Sequence, residues 1–180
     1  TGACRQCTFP IVTSLPADPA RPARDLALML SLALAARVLR IVLVADVVEI
    51  EGSEYGCIAT NLLQGHGYVG LIEGPELMLP PLYPFAIAAT ARILGADVET
   101  SGRIVSCFAS LLTVAACWLL AMKTGGPRAA RWTGWLAALG PPFVLTGSSV
   151  FSEGLLMAGL AMGLLAFERA AATRMIRWGL

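Results

Sequence analysis

Apolar residues gather into long blocks, and their lengths carry the first information. Residues 26–48 are almost continuously apolar, interrupted by Arg37, Arg40 and Asp46. About 20 residues at 1.5 Å rise cover a hydrocarbon core of about 30 Å, so this block predicts a membrane-spanning helix. Arginines inside it are costly against lipid, and they either face protein and pair with an acid or snorkel toward an interface. Three further runs, residues 104–122, 132–148 and 155–167, predict spans two, three and four. The last gains length from Gly154 and the apolar residues before it, and Pro141-Pro142 breaks the third.

Between the first two spans the pattern changes. Tyr55, Ile58, Ala59, Leu62 and Leu63 recur at helical spacing, with Glu54, Asn61 and Gln64 on the other side. This predicts a short amphipathic helix lying in the interface, with Ser53 as N-cap and Gly65 as the residue just past its end. A Gly- and Pro-rich stretch follows, and then the apolar segment 81–94. Its roughly 14 residues make about 21 Å of helix, too short to cross, so it reads as partly inserted. The Pro- and Ala-rich residues 1–24 read as a flexible tail, and residues 25–180 as one membrane domain. The expected fold is therefore an all-α polytopic bundle of four spans with juxtamembrane helices in its first outer loop.

Composition agrees, with 57% of the 180 residues apolar and only 14% charged, against roughly 25% in soluble domains. A soluble globular enzyme is excluded by that balance. A net charge of +1 gives no basic footprint for nucleic acid. Five cysteines include Cys107 and Cys117 inside apolar runs, and the Cys4/Cys7 pair lacks the further ligands that a tetrahedral metal site requires.

Charge also orients the chain, because basic residues accumulate in short cytoplasmic loops. Arg21 and Arg24 precede span one, Lys123, Arg128 and Arg131 lie between spans two and three, and Arg169, Arg174 and Arg177 follow span four. These clusters share one side only if segment 81–94 does not cross. The N-terminus is then cytoplasmic, and the outer face collects Glu49, Glu51, Glu54, Glu73, Glu76, Asp97, Glu99 and Glu153. Glu51, after span one, and Glu153, before span four, emerge on that same face, beside Ser148, Ser149, Ser152, Tyr55, Tyr68, His66 and Arg103. A carboxylate at the rim of a lipid-facing cavity is placed to take a proton from an incoming hydroxyl, and basic groups there stabilise a departing phosphate.

Glu51-Gly52-Ser53-Glu54-Tyr55, the run from Ala59 to Tyr68, Pro80-Pro81-Leu82-Tyr83-Pro84, Gly102-Arg103 and Ser152-Glu153-Gly154 form an ordered set. Together they resemble the N-terminal half of the GT-C membrane glycosyltransferases, nearest to the dolichyl-phosphate-mannose protein mannosyltransferase and lipid A aminoarabinose transferase families. The resemblance implies transfer of a sugar, with inversion, from a polyprenyl phosphate to a hydroxyl of a lipid, glycan or protein acceptor outside the cytoplasm. It implies a base at Glu51, which stands four residues before Tyr55, a second acid at Glu153, and phosphate contact by Tyr55. The family's usual Asp-Glu pair is Glu51-Gly52 here, and the phosphate-binding Lys of some relatives is Leu79, a role that falls to Arg103 or to a basic residue in the missing half. His66 and Tyr68 complete the expected substrate-binding set, and Glu153 is expected to position either the acceptor or a divalent cation, Mg or Mn, as cofactor. The chain is expected to be part of a longer protein of the inner membrane. A transporter or noncatalytic scaffold, using its acidic face or the Pro141-Pro142 break, is the alternative.

Overall fold

The computed structural model describes residues 21–44, 50–71 and 75–177, with side chains described for all of these except 21 and 172–177. Six helices follow in order: α1 (Arg21–Leu43), α2 (Ile50–Gln64), α3 (Leu82–Leu94), α4 (Val98–Leu139), α5 (Pro141–Thr146) and α6 (Glu153–Arg177). Among the described residues the extended structure amounts to one isolated bridge, Val69 to Pro75.

Among the described residues, three helices are long and apolar enough to cross a membrane: Pro22–Leu43, Val98–Leu139 and Glu153–Ala171. The second joins two of the expected spans, because α4 has two arms folded back at Gly126. That residue takes φ 75° and ψ −172°, a conformation essentially reserved for glycine, and Pro127 follows it at the start of the second arm. Two contacts show the fold-back. Ser110 Oγ donates to the Phe143 carbonyl at 3.3 Å, and a Cβ on Gly134 would lie 2.9 Å from the Trp118 ring. Both pairs straddle Gly126 almost symmetrically, as in a helical hairpin.

Met29 and Ala33 of α1 pack with Val114 and Trp118 of the first arm and Ala130, Ala137 and Ala138 of the second. Small residues in the second arm permit this close approach. At the bend end, Arg131 pairs with Asp25 at 3.1 Å and Lys123 with Glu168 at 2.6 Å, so the start of α1, the bend of α4 and the far part of α6 meet. The opposite end carries α2, α3, the start of α4 and the turn before α6, around a second core of Tyr55, Ala59, Tyr83, Ile87, Ala88 and Val150. Leu39, Val42, Phe108, Leu156, Leu160 and Phe167 are exposed on outward faces, the surface that lipid solvates.

Local signals place most helix ends. Gly65 and Gly95 have positive φ just beyond α2 and α3. Several expected boundaries change. α1 already includes residues 21–24, assigned above to the tail, while residues 1–20, with Cys4 and Cys7, lie outside the described residues. α2 starts at Ile50, so Ser53 is inside the helix and donates to the Ile50 carbonyl at 2.6 Å rather than capping it. α4 begins six residues before Ile104 because the Asp97 side chain accepts the Thr100 N–H at 2.8 Å and caps it.

Arg37 also departs from expectation, since it faces protein without an acid. The side chain is fully buried, and Nε donates to Ser110 Oγ at 2.8 Å. Nη1 donates to the carbonyls of Ala33 and Ala138, and Nη2 to those of Ala137 and Phe143. All five guanidinium N–H groups therefore have an acceptor. In an unbroken helix Ala137 and Ala138 would accept from residues 141 and 142, which are prolines without N–H. Arg37 supplies the donors that the double-proline break removes.

Candidate active site

The site lies at the end of the bundle opposite the α4 bend. Its centre is Tyr55, carried on the inner face of α2 and nearly fully buried. The Tyr55 hydroxyl donates to Ser152 Oγ at 2.9 Å, joining residues 97 apart in the chain. Tyr83 of α3 packs edge-on against it, with ring centroids 5.1 Å apart and an 85° interplanar angle. The Tyr83 hydroxyl donates to the Gly102 carbonyl at 3.2 Å and lies 2.7 Å from Ser106 Oγ. The two rings thus fix α2 and α3 against α4 and the start of α6.

This packing places the carboxylates. Glu51 stands one helical turn before Tyr55 on α2 and is exposed. Glu153 is the first residue of α6, next to Ser152, where the positive end of the helix dipole favours its negative charge. Its Oε2 is buried without a hydrogen-bond partner among the described residues. An orphaned buried carboxylate oxygen is costly, and one at a reaction centre is available to a substrate hydroxyl. Burial raises the Tyr55 phenol above its ordinary value, against the Ser152 hydrogen bond, and the charges of Glu51, Glu153 and Glu54 push it the same way. Tyr55 consequently remains a protonated donor at neutral pH, with carboxylates from α2 and α6 around it.

The other expected residues are more scattered. Tyr68 donates to the Leu79 carbonyl at 2.9 Å and stacks on Phe85 at 6.1 Å, holding the loop after α2 over the start of α3. Burial, then Glu76, raises its phenol. His66 is exposed in the turn after α2, its backbone N–H donating to the Asn61 carbonyl at 2.9 Å. Arg103 is on the first turns of α4, buried and ion-paired with Glu99 at 2.5 Å. That pair lines a groove of about 660 Å³ with Asp97, Thr100 and apolar residues of α1 and α4, including Leu34, Val38 and Phe108.

Two residues of this end were not singled out from the sequence. Tyr83 was visible only as part of the Pro-Leu-Tyr-Pro run, and its role appears once Tyr55 packs on it. Arg40 was read only as a residue of span one, yet Nη1 donates to Ser148 Oγ at 2.8 Å and Ser149 Oγ at 3.0 Å. For a divalent cation, the described residues hold no cluster of three or more His, Cys, Asp or Glu side chains. Glu51 and Glu153 are the carboxylates that would hold Mg or Mn, an ion that takes one or two such ligands together with substrate phosphate and would there neutralise charge on that phosphate.

A family model described as dolichyl-phosphate-mannose-protein mannosyltransferase matches residues 79–180, which include Tyr83, Arg103, Ser152 and Glu153. No curated protein and no solved structure matches the chain. With more than half of the chain inside that match and an all-helical bundle of long apolar helices around it, this chain belongs to the dolichyl-phosphate-mannose-protein mannosyltransferase family and is a membrane glycosyltransferase of the GT-C type.

Proposed function

We propose that this end of the bundle transfers a sugar from a polyprenyl phosphate to an acceptor hydroxyl, outside the cytoplasm and with inversion. Glu51 takes the proton of the acceptor hydroxyl as its oxygen attacks the anomeric carbon. The bond from that carbon to the phosphate oxygen breaks with its electron pair, and polyprenyl phosphate leaves. Tyr55 keeps its proton and redirects its hydroxyl hydrogen bond from Ser152 Oγ to a phosphate oxygen of the leaving group, and Glu153 Oε2 orients the acceptor. Attack on one face of the ring while the phosphate leaves from the other gives inversion in a single step.

The observation that carries this reading is the Tyr55 to Ser152 hydrogen bond, which ties the helix bearing Glu51 to the helix start bearing Glu153. Four crossings, with the two arms of α4 counted separately, and the basic residues gathered near the bend favour a reading in which this end lies on the outer side of the inner membrane and the bend end faces the cytoplasm. The chain in that arrangement is N-terminus in, and its acceptor is a lipid, glycan or protein hydroxyl. The transport reading has less support, because the carbonyls freed at Pro141-Pro142 are occupied by Arg37 rather than open to a cargo.

Glu51→Gln in the intact protein tests the base directly. A general base contributes about 10²- to 10⁴-fold, so turnover is expected to fall by that factor with membrane insertion and donor binding retained. Unchanged turnover would remove Glu51 from the mechanism.

A further inference from the structure

Three of the grooves formed by the described residues differ in charge. The one between α1 and α4 holds Arg103, but Glu99 already pairs with that cation and Asp97 adds a second negative charge. Another, of about 510 Å³, runs from Pro80, Leu82 and Tyr83 along Leu155, Leu156 and Leu160 of α6 and contains no charged side chain. The third, of about 620 Å³, is formed by Arg40 of α1 with Leu139, Pro141, Pro142, Val144 and Leu145. It combines a guanidinium with apolar walls.

Arg40, like Arg37, is met by neutral oxygens, but it is only half-buried and lines a groove. Its hydrogen bonds among the described residues go to two serine hydroxyls, and the described ion pairs involve Arg103, Lys123 and Arg131 instead. Ser148 Oγ in turn donates to the Val144 carbonyl at 2.6 Å, so that hydroxyl is held in place, and neither serine brings negative charge. A half-buried guanidinium in an apolar helix surface, met by neutral oxygens, is matched by an anion arriving from the lipid phase.

Arg40 is also tied to the segment that holds Tyr55. Ser149, which receives Arg40, is three residues before Ser152, which receives Tyr55, and the Phe151 N–H donates to the Ser149 carbonyl at 3.1 Å in a tight turn. Three residues reach at most about 11 Å even when extended. One glycosyl phosphate can touch both ends of that turn.

We infer that Arg40 binds the phosphate of the polyprenyl-phosphate donor, with the first isoprenoid units lying along Pro141, Pro142, Val144 and Leu145. This rests on the sugar-transfer reading above and adds to it the donor's seat. The phosphate then sits over the 149–152 turn between Arg40 and Tyr55, where both can donate to its oxygens, and the isoprenoid chain leaves the groove into lipid. The guanidinium neutralises the phosphate both before and after the glycosidic bond breaks, so Arg40 acts on donor binding more than on turnover.

The test compares affinity for polyprenyl phosphate and for the uncharged polyprenol, using the intact protein in phosphatidylcholine nanodiscs. Wild type is expected to prefer the phosphate. Arg40→Gln is expected to lower that preference by about tenfold or more, the worth of a charged hydrogen bond, and Arg40→Lys to restore part of it. Leu145→Trp, which fills the groove and leaves the cation, is expected to weaken both lipids together. Phosphatidylglycerol in excess should compete only weakly; equal competition would overturn donor selectivity at this groove. If wild type itself shows no preference for the phosphate, the polyprenyl-phosphate reading fails. If wild type prefers it and Arg40→Gln keeps the full preference, or Leu145→Trp binds as tightly as wild type, the assignment of Arg40 and its groove fails alone.

Discussion

The Arg37 guanidinium donates to the Ala138 carbonyl at 2.9 Å, the acceptor that Pro142 leaves without a helical partner. A charged side chain in the membrane thus has a structural use that involves no carboxylate: it closes a helix break. Removing it orphans the Ala137 and Ala138 carbonyls in an interior without water. Arg37→Met is therefore expected to destabilise the bundle by about 3 kcal/mol, and the loss should shrink by half or more when Pro141→Ala and Pro142→Ala restore the missing N–H groups. Thermal unfolding of the four variants in detergent completes the cycle. An equal cost in both backgrounds would show that Arg37 does not serve the break.

Two glycines hold the hairpin and the break in place. Gly126→Ala forces a side chain into the φ 75°, ψ −172° conformation and is expected to cost about 1–3 kcal/mol. At Gly147 a Cβ would lie 2.6 Å from Ser110 Oγ and 2.7 Å from Arg37 Nε. Gly147→Ala should cost a similar amount, about 1–3 kcal/mol, by displacing those two side chains. Gly159→Ala on α6, where a Cβ meets nothing within 4 Å, serves as the neutral comparison in the same melting experiment.

Tyr55→Phe separates the ring from the hydroxyl. The edge-on packing on Tyr83 survives, so stability should change by only about 1 kcal/mol. Sugar transfer should fall by about 10²-fold, as for loss of one positioned donor to developing charge. Initial-rate measurements at saturating donor distinguish this from weaker donor binding. Wild-type turnover in the variant would leave the hydroxyl a purely structural role.

The three tyrosines of the chain all have phenols raised chiefly by burial, Tyr83 most of all, with Glu51 and Glu153 adding to the effect at Tyr55. A raised phenol stabilises the folded state fully below its unfolded value near 10, and that contribution is lost as pH rises beyond it. Tyrosinate absorbance is expected to appear at higher pH in the folded protein than in the denatured chain. Coincident titration curves would contradict the buried hydroxyls.

Asp97 predicts the opposite end of the pH scale. The Thr100 backbone N–H holds its carboxyl below the usual range, with the Thr100 side chain adding to this. Its contribution is present at neutral pH and lost as pH falls below about 4 through the lowered folded value. Asp97→Ala should cost about 1 kcal/mol at neutral pH and progressively less below that point, measured by unfolding across the acid range.

Some of this protein is local and therefore written along the chain. Run lengths set which segments can cross a bilayer, and basic residues at 123–131 and 169–177 separate from the acidic end because lipid and loops respond to each stretch by itself. Gly65 and the Pro141-Pro142 pair marked a helix end and a break for the same reason, since backbone freedom and a missing N–H are properties of single residues. Only tertiary packing decided the rest. It chose which faces of the two arms of α4 meet across the Gly126 bend, a break that the basic stretch 123–131 between two apolar runs already marked. It set Arg37 against carbonyls 100 and 101 residues away and Arg103 against Glu99, so two similar cations acquired different uses. It brought Tyr55 to Ser152 and left Arg40 with hydroxyl partners beside an apolar groove. Those outcomes depend on which faces of distant helices meet, and no spacing within one helix encodes that.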